Sequence, residues 1–108
     1  IMFCAFEGPA NILRLYGQGE AIDVGNPRYR EMLALFPGFD RARAVIVIKV
    51  HRIADSCGWG VPFYEFKGER DQLTRYIDNK SVEEWTENCF QKNAESIDGL
   101  PGIVRPKD

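Results

Sequence analysis

Three stretches of this chain carry apolar residues in the manner of β-strands, and three more carry them at helical spacing. Ile1–Glu7, IMFCAFE, is apolar on both faces and predicts an interior strand. Glu7-Gly8-Pro9-Ala10-Asn11 is turn chemistry, so the next stretch is expected to return antiparallel. Asn11–Val24 then alternates, with Leu13, Leu15, Gly17, Gly19 and Ala21 on one face and Ile12, Arg14, Tyr16, Gln18, Glu20 and Ile22 on the other. The first face shrinks from leucine to glycine, which predicts that something packs closely against Gly17 and Gly19. The row Arg14, Tyr16, Gln18 is, in its plainer reading, a solvated face. A third strand is expected over Arg43–Ala54. Its start, Val45 to Ile48, is an unbroken β-branched run of the kind buried on both faces, and Lys49, His51 and Arg52 make its second half polar.

The helices announce themselves by their ends. Asn26 as N-cap and Pro27 at the first helical position open one over Pro27–Phe36, with Tyr29, Met32, Leu33 and Phe36 on its apolar face. Pro37-Gly38 stops it. Gly68 breaks the chain before a second, Glu69–Asn79, marked by Leu73, Tyr76 and Ile77. Ser81-Val82-Glu83-Glu84 is a capping box that starts a third, Val82–Asn93, with Trp85 and Cys89 on its apolar face. The ending from Ser96 to Gly102, SIDGLPG, reads as an ordered loop or a docking arm.

Between the third strand and the second helix lies Ser56-Cys57-Gly58-Trp59-Gly60-Val61-Pro62, followed by Phe63, Tyr64 and Phe66. The glycines let backbone come close to something, and the aromatics offer flat apolar surface beside it. The segment either lines a planar ligand or plugs the end of a core, and the plug needs fewer assumptions.

Composition narrows the classes. The 108 residues suit one domain, and the formal charge of −2 mixes both signs, so no basic footprint for nucleic acid is present. No apolar run approaches the roughly 20 residues that span a bilayer. Three widely spaced cysteines (Cys4, Cys57 and Cys89) do not make a disulfide framework, and the expected location is cytoplasmic. Opening on Ile1-Met2-Phe3 inside an apolar run is how a fragment begins. His51 is the single histidine and sits on a strand, so no nucleophile with its base and no metal-ligand set can be assembled. Gly17-Gln18-Gly19 lacks the third glycine and the following helix of a dinucleotide fingerprint. Any catalysis would rest on an organic cofactor.

Three stretches carry a resemblance: IMFCAFEGPANILRLYGQGEAI, ARAVIVIKVHRIADSCGWGVPFYEF and KNAESIDGLPG. Together they resemble the C-terminal part of pyridoxamine 5′-phosphate oxidase-related, FMN-binding proteins. The resemblance implies a mainly β fold with flanking helices (α+β), an FMN-binding split β-barrel. It implies that residues 1–108 are the C-terminal portion of one such domain, with its N-terminal strands missing. It also implies a homodimer with FMN at the dimer interface and a flavin-dependent oxidoreductase acting on a small molecule. Neither nucleic acid nor membrane is expected as a partner.

Departures from the oxidase pattern bear on its substrate. Where the oxidase has Glu-Phe-Trp-Gln-Gly, this chain has Glu65-Phe66-Lys67-Gly68, so the flavin-contacting tryptophan has no counterpart. The oxidase's Arg-Gln-Val-Arg becomes Asn11-Ile12-Leu13-Arg14, and its Arg-Leu-His-Asp-Arg is not reproduced. The resemblance therefore implies flavin binding rather than the oxidase's own substrate. The expected cofactor-binding residues are Arg14, Trp59, Phe66, Lys67 and Arg70, with Trp59 and Phe66 or Phe63 as an apolar wall and the cations balancing anionic groups. The plainer reading of Lys67 and Arg70 is solvated charge. Two other readings remain: a flavin- or haem-binding module without catalysis, and a dimerisation fragment without cofactor.

Overall fold

Six elements follow one another in a computed structural model that describes residues 1–107. They are β1 (Met2–Cys4), β2 (Ile12–Asp23), α1 (Tyr29–Leu33), β3 (Ala44–Ser56), α2 (Gln72–Asp78) and α3 (Val82–Lys92). The strands form one sheet in the order β1-β2-β3. β1 pairs antiparallel with β2 in the register Met2↔Arg14, Phe3↔Leu13, Cys4↔Ile12. β3 also runs against β2: Val24 N–H donates to Arg43 O at one end, and Gly17 meets Ile48 and Lys49 further along. The three-stranded sheet and three helices that the patterning predicts are compatible with an α+β fold.

The residues cluster into two compact units, and β2 and β3 run through both. Ile1–Gly19 and Ile48–Glu69 make the first. Here the close packing expected at Gly17 is present, since a Cβ on it would stand 2.5 Å from Lys49 O and 2.7 Å from Ile48 Cγ2. The interior strand expected over Ile1–Glu7 shortens to three residues, and Ile1, Met2 and Phe3 are each at least half exposed. No side chain of this unit is fully buried; Gly58 alone is.

Glu20–Val47 and the segment from Arg70 onward make the second unit, and it holds the core: Ile22, Val45 and Cys89. Val45 is buried as the β-branched run predicts, yet Ile46 beside it is 60% exposed. The strand therefore is covered on one face here, not both, because nothing in the second unit packs over Ile46. Three successive carbonyls at the head of β3 tie the unit together. Trp85 Nε1 donates to Arg41 O at 2.8 Å, the Tyr29 hydroxyl to Ala42 O at 2.5 Å, and Val24 N–H to Arg43 O at 3.1 Å. The Arg41 guanidinium donates to Ile77 O at the end of α2 and lies 3.6 Å from the Asp78 carboxylate. Arg43 reaches Asn93 Oδ1 at 2.8 Å.

Helix α3 starts where its capping box places it. Ser81 Oγ accepts from Glu84 N–H at 3.1 Å and Glu84 Oε2 accepts from Ser81 N–H at 2.9 Å, an arrangement that stabilises a helix start by about 1 kcal/mol. Helix α1 is shorter than its pattern predicts. Asn26 does not cap it as expected; its side chain accepts from Arg28 N–H at 2.9 Å in a local turn, and helix begins only after Arg28. Its far end tightens into i→i+3 bonds, Leu35 to Met32 and Phe36 to Leu33, before Gly38 turns at φ +88. Helix α2 begins at Gln72, three residues later than expected, and Asp71 before it supplies no side-chain cap.

The ending is a docked arm. Ser96 and Leu100 close a turn, Gly102 and Ile103 N–H donate to Ala94 and Asn93 carbonyls, and Arg105 pairs with Glu87 at 2.5 Å while lying over the Phe90 ring.

Candidate functional site

The aromatic segment after β3 belongs to the first unit, together with four of the five residues expected to bind cofactor: Arg14, Trp59, Phe66 and Lys67. Trp59 is 88% exposed, on a turn closed by Val61 N–H to Gly58 O at 2.8 Å. It plugs no core of this chain. That corrects the plainer reading of the segment, and the reason is supply: the first unit has no enclosed interior for an indole to fill. Phe63 and Phe66 are exposed as well, at 82% and 73%.

The two glycines flanking Trp59 have different explanations. A Cβ on Gly58 would fall 2.6 Å from Asn11 N, so Gly58 is small because the chain's own turn between β1 and β2 lies against it. Around Gly60 there is open space to 4 Å. The close approach inferred from this pair is thus met at Gly58 by backbone, not by a ligand. A second tie holds the same segment: Tyr64 N–H donates to Phe6 O at 3.2 Å, and the Phe6 and Tyr64 rings meet edge to face at 5.3 Å. The exposed aromatics are therefore presented on an anchored loop.

Arg14 sits on β2, half-buried, with Nη1 donating to Ser56 Oγ at 2.7 Å. Two positions along the same face, the Tyr16 ring lies under the Arg52 guanidinium, 4.1 Å from ring centroid to carbon. The row Arg14–Tyr16 is thus ordered by contacts from β3. Arg52 was not among the expected site residues. Its only sequence signal is a cation at an alternating strand position, which β3 shares with Lys49. Lys67 is exposed and makes no ion pair among the described residues. Arg70 is exposed and falls in the second unit.

All four ion pairs among the described residues lie in the second unit: Arg28–Glu20, Arg41–Asp78, Arg75–Asp71 and Arg105–Glu87. Its perturbed groups follow from its packing. Burial pushes the Cys89 thiol and the Tyr29 hydroxyl up, and the Arg105 hydrogen bond holds the Glu87 carboxyl below its usual range. A cavity of about 460 Å³ opens between α1 and α3, lined by Tyr29, Leu33, Phe36 and Trp85 with Arg30 and Asp40 at its polar side. None of the five expected residues lines it. Among the described residues no group of three or more His, Cys, Asp and Glu could hold a metal ion, and no helix is long and apolar enough to cross a membrane.

No protein-family model and no solved structure matches the chain. Among curated proteins it is similar to the pyridoxamine 5′-phosphate oxidase family protein ustO of Aspergillus flavus, 29% identical over 120 aligned positions. The alignment takes in 95% of this chain and 47% of that protein, so the chain spans about half the length of the relative it matches.

Proposed function

We propose that this chain is part of an FMN-binding oxidoreductase related to pyridoxamine 5′-phosphate oxidase, acting on a small molecule. The similarity along 95% of the chain to a protein of that family name carries the reading. The first unit fits a flat cofactor with an anionic tail. Trp59 and Phe66 stand exposed on an anchored loop, and Arg14 is held in place by Ser56 and belongs to none of the ion pairs among the described residues. In this reading Trp59 and Phe66 wall the ring system and exclude water from it, and Arg14 and Lys67 balance negative charge. Arg70 stands as a further cation candidate. A flavin, when bound, supplies two-electron chemistry at its ring system; the protein's part is to hold and orient.

A second copy of the chain and further strands closing a split barrel belong to the same proposal. Support comes from uncovered apolar surface: Ile1, Met2, Phe3 and Ile53 are each more than half exposed. Titrating FMN into wild type and Trp59→Ala, with melting curves of both apo proteins, tests the reading. The expected outcome is about tenfold or greater weakening of FMN in Trp59→Ala with no change in apo melting, since an exposed indole contributes little to folding. Equal FMN affinity in the two proteins would retire Trp59 as a wall, and absence of FMN binding by wild type would retire the flavin reading.

A further inference from the structure

The cavity between α1 and α3 has no part in the flavin reading, since none of the five expected cofactor residues lines it. It lies wholly within the second unit, and its volume of about 460 Å³ falls in the range of small-molecule pockets, roughly 300–1,000 Å³. Its aromatic wall is set before any ligand arrives. The Tyr29 hydroxyl and the Trp85 indole N–H are spent on the carbonyls of Ala42 and Arg41, so both rings are fixed and offer the cavity apolar surface rather than donors. Leu33 and Phe36 extend that wall.

Two charges of opposite sign line the same cavity, Arg30 from α1 and Asp40 from the loop before β3. Neither belongs to an ion pair among the described residues, so they do not neutralise each other. Burial chiefly raises the Tyr29 hydroxyl; the Arg30 charge lowers it and the Asp40 charge raises it, so both lie within electrostatic reach of that one side chain. A ligand of one sign would satisfy one of these groups and be repelled by the other. Ring surface with a free charge of each sign beside it is complementary to a small aromatic zwitterion.

We propose that this cavity binds a free aromatic α-amino acid, its ring against Trp85 and Phe36, its carboxylate on Arg30 and its ammonium on Asp40. Walls already ordered by hydrogen bonds lose little entropy on binding. The site is independent of the flavin reading, and the failure of either leaves the other standing.

L-Phenylalanine, titrated into the chain and followed by backbone amide shifts, tests the site. The expected result is a saturable shift at Leu33 and Thr86. L-Alanine keeps both charges without the ring and should bind about tenfold or more weakly. 2-Phenylethylamine, without the carboxylate, and 3-phenylpropanoate, without the ammonium, should each bind about fivefold more weakly than phenylalanine. Two variants assign the charges. Arg30→Met should weaken phenylalanine about fivefold and leave 2-phenylethylamine within about twofold. Asp40→Asn should weaken phenylalanine by a similar factor without weakening 3-phenylpropanoate. Both residues are exposed, so the melting temperature should hold in each variant, and melting curves check that lost binding is not lost folding. Absence of a saturable shift, phenylalanine binding no tighter than alanine, or an unchanged phenylalanine affinity in either variant overturns the proposal.

Discussion

Strand β2 passes through two environments, and its side chains record the difference. At Ile22, in the second unit, the side chain is fully buried; at Tyr16, in the first, a comparably large one remains 37% exposed under an arginine. The second unit closes on itself through buried apolar groups, carbonyl acceptors and ion pairs. The first orders its residues by backbone ties and stacking, yet keeps its aromatics and cations outward. The fully buried side chains, Ile22 and Cys89, both belong to the second unit.

The sharpest break between them is expected from matched truncations. Ile22→Ala should cost about 2–5 kcal/mol in urea unfolding, as a fully buried aliphatic, while Ile53→Ala, 65% exposed, should stay within about 0.5 kcal/mol. Comparable costs would show that Ile53 is covered in solution. Within the first unit, Gly17→Ala drives a Cβ to 2.5 Å from a backbone oxygen that cannot swing away, and about 1–3 kcal/mol should be lost; Gly60→Ala, in open space, should be near neutral.

A smaller effect separates the units by pH. Burial raises the Cys89 thiol above its ordinary value of 9.0, so the folded state holds that proton more tightly than the unfolded one. The stability it contributes is complete below about pH 9 and is lost as pH rises through the raised value. Melting temperature should therefore fall on the alkaline side in wild type and fall less in Cys89→Ala. Alkylation should also reach exposed Cys57 in the native protein and Cys89 only on unfolding. The smallest effect is at Glu87. Its lowered carboxyl favours the Arg105 contact at neutral pH and loses it as pH falls below the usual carboxylate range. Protection of the Ile103 amide relative to its intrinsic exchange rate should fall in acid, and Glu87→Gln should show the lower protection already at neutral pH.

What was legible in the residues depended on how far away the cause lay. The Ser81–Glu84 box is written within four residues and appears as read. The strand alternation of β2 is local too, and its boundaries come within a residue of expectation. Burial at Val45 to Ile48 was half legible, because β-branched composition states what a strand tolerates, not what packs over it. Gly58 was legible as a close approach but not as to what approaches, since Asn11 lies across the unit. The pairing of Arg52 with Tyr16 had no signal beyond parity, which places many side chains on a face and selects none. Trp59 and Phe66 read as a wall or a plug from sequence, and exposure removes the plug.

The three carbonyls at the head of β3 also bear on how this protein tolerates change. Arg41, Ala42 and Arg43 receive Trp85, Tyr29 and Val24 through backbone oxygens, which every amino acid possesses. The acceptor side of these bonds is therefore indifferent to the side chain at 42, so that position is free to drift among residues that keep the strand entry and the Ala42 N–H bond to Phe39 O. The donors have no such latitude: an indole N–H and a phenol O–H are each supplied by one or two residue types. Selection on the second unit should accordingly weigh on Tyr29 and Trp85, and leave residue 42, the middle of the joint they hold, among its more variable sites.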